Sequence, residues 1–161
     1  MIGCSAGGHT AVKEVIRGLS DDLPTAVIVI RHMPALARSQ YGTTHDEDWL
    51  RDVTRARVRL ITEGDYLESG VIYLTPGGMS ATIERQRFKL APCPQKPAPS
   101  VVINALFESA AREYGNRIIG VILTGMLVDG TIGLRAVHEA GGLTVVQNPP
   151  TRNIPVCRAV Q

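Results

Sequence analysis

Two stretches of the chain, Ala26-Val27-Ile28-Val29-Ile30 and Ile118-Ile119-Gly120-Val121-Ile122-Leu123, carry no polar side chain. A strand with one wet face alternates apolar and polar residues. An unbroken apolar run suits a strand covered on both faces, as in a parallel sheet between helices. A shorter run, Leu143-Thr144-Val145-Val146, follows the pair Gly141-Gly142. Helical spacing fills the gaps. Residues 11–19 place Val12, Val15, Ile16 and Leu19 on one stripe, residues 102–111 form a second helical pattern stopped near Gly115, and residues 134–140 form a third, stopped by the glycine pair. Strands alternating with helices at both ends predict an α/β domain with a mainly parallel sheet.

The middle of the chain reads differently. Residues 58–61, residues 70–74 and the pair 81–84 and 88–90 are short, alternating and turn-separated, which predicts hairpins and hence an antiparallel insertion. Cys93 to Pro99 carries three prolines and is expected to be an extended connection.

At 161 residues, with 44% apolar and 20% charged residues, the chain suits a single domain, 1–161, with one real core. No apolar run approaches the roughly 18 residues needed to span a bilayer, so membrane insertion is not expected. A net charge of +2 is too small to suggest nucleic acid, and two Phe and one Trp leave little for stacking on bases. Cys4, Cys93 and Cys157 are odd in number and contain no Cys-x-x-Cys, so reduced thiols and a cytoplasmic location are expected. The sequence opens two residues before a glycine-rich turn, which leads us to expect truncated termini.

That turn, Gly3-Cys4-Ser5-Ala6-Gly7-Gly8, lies between a short strand and a helix and matches Gly-x-Ser-x-Gly, the nucleophile elbow. A sharp strand-to-helix turn exposes the serine oxygen, and the following helix start offers free N–H groups to an oxyanion. A serine N-cap or a phosphate-binding glycine turn are the competing readings. The glycine spacing fits neither the dinucleotide fingerprint nor the P-loop.

A serine nucleophile needs a base, and the base an orienting acid. Of the four histidines, His138 lies within a helical pattern and His45 in an acidic stretch, and both read as surface residues. His9 is close to Ser5 in the chain but turned away along the helix, whereas His32 follows the Ala26–Ile30 strand by two residues. Open α/β sheets bind ligands at the C-terminal ends of their strands, which favours His32. Asp129 stands in the turn between the Ile118–Leu123 strand and the third helix, where the plain reading is a cap on that helix. Taken together, Ser5, His32 and Asp129 each fall beyond the C-terminal end of a different strand. Parallel strands would gather them at one edge, with Ser5 as nucleophile, His32 as base and then acid, and Asp129 holding the imidazole. Cys4 is a weaker rival nucleophile, with its side chain expected to point away from that of Ser5. The order Ser, His, Asp differs from that of the α/β-hydrolases.

The motifs Ile2-Gly3-Cys4-Ser5-Ala6-Gly7-Gly8, Arg31-His32-Met33-Pro34, Tyr73-Leu74-Thr75-Pro76-Gly77-Gly78 and Gly120-Val121-Ile122-Leu123-Thr124-Gly125-Met126-x-x-Asp129-Gly130 follow one another in a family's order and spacing. They resemble the catalytic domain of the bacterial chemotaxis protein-glutamate methylesterases, the CheB family, from Ile2 to about Ala159. The resemblance implies a doubly wound, Rossmann-like α/β sheet with an antiparallel hairpin. It implies hydrolysis of glutamate γ-methyl esters on chemoreceptor cytoplasmic helices with release of methanol, and in some members deamidation of receptor glutamines. The family's serine, histidine and aspartate fall on Ser5, His32 and Asp129, and its oxyanion donors on the backbone N–H groups of Ala6 and Met126. No metal or organic cofactor is implied. The family's phospho-acceptor receiver domain has no counterpart in the sequence, which leaves a removed domain or a stand-alone methylesterase-like one as expectations.

Departures from the family pattern bear on the turn beside the oxyanion donor, at Leu127, and on receptor recognition, in the Pro-rich stretch. Leu127 stands beside Met126 where many members have glycine, and Pro94 to Ser100 replaces an Arg-containing, Pro-rich stretch, with Asn104 in the place of an aspartate. A catalytically weak interaction module, or an esterase or amidase on another substrate, therefore stay open as alternatives. Arg51, Arg55, Arg57, Arg59, Arg85, Arg87, Lys89 and Lys96 enrich the middle in positive charge. That charge reads either as steering toward an acidic partner or as a solvated surface.

Overall fold

The computed structural model describes residues 1–4, 8–31, 48–93, 101–123 and 129–147. In chain order the elements are β1 (Ile2–Cys4), α1 (Gly8–Arg17), β2 (Val27–Arg31), α2 (Asp48–Arg51), β3 (Arg57–Leu60), β4 (Val71–Leu74), β5 (Met79–Glu84), β6 (Arg87–Pro92), α3 (Val102–Tyr114), β7 (Ile119–Ile122), α4 (Thr131–Glu139) and β8 (Leu143–Val146). Six strands form one sheet in the order β3-β4-β2-β1-β7-β8, and every neighbouring pair is parallel. The pair β5–β6 is a separate antiparallel hairpin. This is the α/β architecture with a hairpin insertion that the sequence predicts.

The unbroken apolar run of β2 has the cause inferred for it. Ile28 and Ile30 sink into a core shared with α3, α4 and the hairpin, whereas Val27 and Val29 point into a second core with Val12 and Ile16 of α1 and Leu50 of α2. Both faces of the sheet are thus covered at β2, and burying each such side chain contributes about 1.5–3 kcal/mol. The hairpin is fastened to α3. The Ser109 hydroxyl, buried, accepts from the Ile83 N–H at 3.0 Å and donates to the Leu106 carbonyl at 2.8 Å. At the hairpin tip, Arg85 and Gln86 hold positive φ, 50° and 62°, and both their N–H groups donate to the Glu113 carboxylate. Two charge-assisted bonds offset the cost of about 1–2 kcal/mol per left-handed residue.

One expectation fails. Residues 58–61 and 70–74 are not hairpin strands. They lie in β3 and β4, which pair in parallel, Arg57 opposite Val71 through Leu60 opposite Leu74, and extend the main sheet. The reason is burial: Val71, Ile72, Tyr73 and Leu74 are all enclosed, so β4 belongs inside the sheet beside β2. The buried Tyr73 hydroxyl is satisfied by donating to the Tyr66 carbonyl and accepting from the Glu68 N–H.

Sheet order fixes where a site can form. From β1 the chain winds to β2 on one side and later returns to β7 on the other. β1 is therefore the switch point, and the crevice beyond its C-terminal end is where open α/β sheets take ligands.

Candidate active site

β1 and β2 end together. Cys4 is the register partner of Arg31, and parallel neighbours lie about 4.8 Å apart. Ser5 and His32 are the next residues of the chain after this pair. On the other side of β1, Gly3 is opposite Ile122, and the Leu123 N–H donates to the Gly3 carbonyl at 2.9 Å. Ser5, Ala6, His32 and Met126 themselves lie outside the described residues, as do Leu127, His45 and residues 94–100.

Asp129 is described, and its carboxylate is anchored. Oδ2 accepts from the Ile103 N–H and Oδ1 from the Asn104 N–H, each at 3.2 Å. These are donors of the first turn of α3, left without intrahelical partners by the geometry of a helix start. The expected cap is thus real, but it serves α3 and not the helix that follows Asp129. In return, the Asn104 side-chain oxygen, buried, accepts from the N–H groups of Gly130 at 3.0 Å and Gly133 at 2.7 Å, the start of α4. Sequence reasoning noted Asn104 only as a departure. The available signal was a polar residue early in an otherwise apolar helical run, a place where Asn competes for backbone groups.

Close packing ties this anchor to β1. A Cβ on Gly3 would lie 2.7 Å from Ile103 Cγ2 and 2.9 Å from Ile122 Cδ1, so only glycine admits α3 so near the strand. Gly130, with φ 103°, would bring a Cβ within 2.6 Å of the same Ile122 methyl. Ile103 Cγ2 would lie 3.3 Å from the same Cβ, so Ile103 and Ile122 both bridge the elbow glycine and the residue after Asp129. The first glycine of the Gly-x-Ser-x-Gly motif is required here by helix approach, in addition to any demand of the turn.

The rival groups are accounted for. Cys4 is buried, and desolvation, opposed by the Arg31 charge, pushes its thiol from 9.0 up to about 11. A thiol that resists ionisation is a poor nucleophile. His9 reaches the same edge, where its Nε2 accepts from Arg31 Nη1 at 2.9 Å and its ring stacks on Trp49 at 4.8 Å. His138 lies exposed in the last turn of α4. Much of the positive charge in the middle is spent on neighbours: Arg57 and Arg59 both pair with Glu68 at 3.0 Å, and Lys89 pairs with Glu63 at 3.3 Å. A solvated, ion-paired surface describes these residues better than a steering patch. Among the described residues no three His, Cys, Asp or Glu side chains gather as a metal site requires.

This arrangement agrees with what comparison with known proteins finds. The profile of the CheB methylesterase family matches residues 1–156. The chain belongs to the CheB methylesterase family. A protein of Anaeromyxobacter dehalogenans named protein-glutamate methylesterase/protein-glutamine glutaminase 2 is 36% identical over 151 residues, 94% of this chain and 43% of that protein. A Moorella thermoacetica protein with the same pair of activities in its name is 36% identical over 155 residues, 93% of this chain and 35% of its own length. The chain thus spans well under half of these CheB relatives. In three dimensions it is similar to the crystal structure of the Thermotoga maritima CheB methylesterase catalytic domain. The TM-score is 0.72 at 26% identity, covering 89% of this chain and 75% of that one. Membership of the CheB family accounts for the parallel sheet, the separate hairpin and the motif order alike.

Proposed function

We propose that this domain is a protein-glutamate methylesterase: a serine hydrolase that removes methyl groups from glutamate side chains on chemoreceptor cytoplasmic helices. The observation that supports the reading is the shared end of β1 and β2 at the switch point. β1 and β2 end as register partners one residue ahead of Ser5 and His32, and Asp129 is tied to the α3 start that packs on Gly3. The names of the CheB relatives supply the substrate class.

In the mechanism, the Ser5 hydroxyl attacks the γ-ester carbonyl while His32 takes its proton. The tetrahedral oxyanion is held by the backbone N–H groups of Ala6 and Met126. Collapse expels methoxide, which leaves as methanol with the proton from His32, and the glutamyl group remains esterified to Ser5. Water, deprotonated by His32, then releases the glutamate carboxylate and restores the serine. Asp129 keeps the imidazole oriented and stabilises its cationic form. With a glutamine side chain the same steps expel ammonia, the second activity in the relatives' names. No step requires a metal or an organic cofactor. We place this chemistry in the cytoplasm, where the methylated receptor helices lie, and read residues 1–161 as the catalytic domain. The described residues contain no helix long and apolar enough to cross a membrane. A phospho-acceptor receiver domain is a natural partner in this scheme.

The test is methanol release from a methylated receptor cytoplasmic fragment, with Ser5→Ala as control. Release that depends on Ser5 supports the reaction and the nucleophile together. Labelling of Ser5 by a fluorophosphonate without methanol release would refute the substrate while leaving a serine hydrolase.

A further inference from the structure

Helices normally satisfy their free N-terminal N–H groups with a side chain from the residue just ahead of the first turn. Neither α3 nor α4 does so: the cap positions, Val101 and Gly130, make no side-chain capping bond. The caps are exchanged instead. Asp129, adjoining α4, caps α3, and Asn104, inside α3, caps α4 through Gly130 and Gly133. The two helix starts touch at this point, where a Cβ on Gly133 would lie 2.7 Å from Phe107 Cβ and 3.0 Å from Asn104 Cα. A local Ser, Thr or Asp could satisfy the free N–H groups of each helix as well. What a local cap cannot give is a fixed distance between the two helix starts.

We propose that Asn104 is a positioning residue for the reaction: its side-chain oxygen locks the start of α4 onto α3, so that the Asp129 carboxylate, next to that lock, is held where the catalytic histidine needs it. The inference rests on Asp129 being the acid that orients His32. The Ile103 and Asn104 N–H groups fix the two carboxylate oxygens, and the Asn104 oxygen fixes the backbone immediately after Asp129. Without the second hold, the chain carrying the carboxylate can swing about the first. Misplacement of a catalytic group by an ångström costs about a hundredfold.

The experiment compares Asn104→Leu, which keeps the branched shape but has no acceptor, Asn104→Ser, which leaves room for water, and Asn104→Asp, which keeps an oxygen acceptor. Each is assayed for kcat and KM on the methylated receptor fragment, for the rate of Ser5 labelling by a fluorophosphonate, and for melting temperature. We expect Leu and Ser to lower kcat and the labelling rate by about tenfold or more with little change in KM, and Asp to recover most of the loss. Lowered melting temperatures with wild-type kcat and labelling, measured well below melting, would make Asn104 merely structural and overturn the proposal. Should Asn104→Leu fail to fold, Asn104→Ser decides. If the wild type is labelled but releases no methanol, the methylesterase reading fails and the labelling series alone decides Asn104. A folded wild type that is not labelled overturns both.

Discussion

The contact between Gly3 and α3 sets up a substitution whose cost can be worked out. In Gly3→Ala the new methyl would sit 2.7 Å from Ile103 Cγ2 and 2.9 Å from Ile122 Cδ1. Carbon atoms pack best at about 3.5–4.0 Å, so something must give by roughly 1 Å. Ile103 is 2% exposed and lies in the main core, which leaves it no free direction. Overpacking of this kind costs about 1–3 kcal/mol. Against it stands the lower chain entropy of alanine in the unfolded state, about 0.4–1 kcal/mol, available because Gly3 has no positive φ. The strain wins, and Gly3→Ala is expected to be destabilised by about 0.5–2 kcal/mol.

A double-mutant cycle isolates the cause. Ile103→Ala alone leaves a cavity and costs about 2–5 kcal/mol. When Gly3→Ala is combined with it, the closer clash, with Ile103, is gone, and the cavity gives the added methyl and the Ile122 methyl room to move apart. The double variant should therefore be more stable than the two single effects predict, by about 1–2 kcal/mol. Urea unfolding of the four proteins, monitored by circular dichroism, gives the coupling directly. Additivity within about 0.5 kcal/mol would refute the claim that helix approach is what excludes a side chain from position 3.

Two further outcomes follow from the site. Because the Cys4 thiol is raised from 9.0 to about 11, it stays protonated in the native state while the unfolded chain's thiol ionises, so stability should fall as pH rises from 9 to 11. The loss attributable to Cys4 is about 3 kcal/mol at its full extent. Urea midpoints against pH for wild type and Cys4→Ala should diverge in that window, and parallel curves would show that the thiol is not desolvated. In Asp129→Asn one amide oxygen replaces two carboxylate oxygens before the Ile103 and Asn104 N–H groups. The protein should melt lower and turn over on the order of 10⁴-fold more slowly, as loss of a triad carboxylate typically does. Full turnover would remove Asp129 from the mechanism.

How much of this was legible in the chain depended on whether the forces were local. β2 announces itself because burial on both faces leaves no polar position, whereas β7 is as apolar in sequence although Ile119 is half exposed. β4 is equally apolar, but at four residues, behind Gly70 and the alternating Arg57-Val58-Arg59-Leu60, it read as half of a hairpin. Strand direction is not written in such a segment. A connection of ten residues, 61–70, is long enough either to turn back or to cross over, and what decides is the vacancy beside β2. A capping role for Asp129 is legible in the sequence. The helix it caps is not, since local rules assign a cap to the helix that follows it and α3 begins 27 residues earlier in the chain.

The difference between the three proposed catalytic positions explains why the exchanged caps matter. Ser5 and His32 each follow by one residue in the chain a strand end, Cys4 and Arg31, and those ends are register partners. Asp129 comes seven residues after Ile122, the end of β7, too far for sheet register to place it. Its position is set from the opposite direction, by α3, whose first turn holds the carboxylate and whose Ile103 rests on Gly3. The acid is thus referred to the same strand as the nucleophile through packing across the sheet face. Substitutions at the start of α3, which carries none of the three residues, should therefore disturb turnover more than equally destabilising ones at β3 or β8. A lesion in those edge strands leaves both the β1–β2 register and the α3–β1 contact in place.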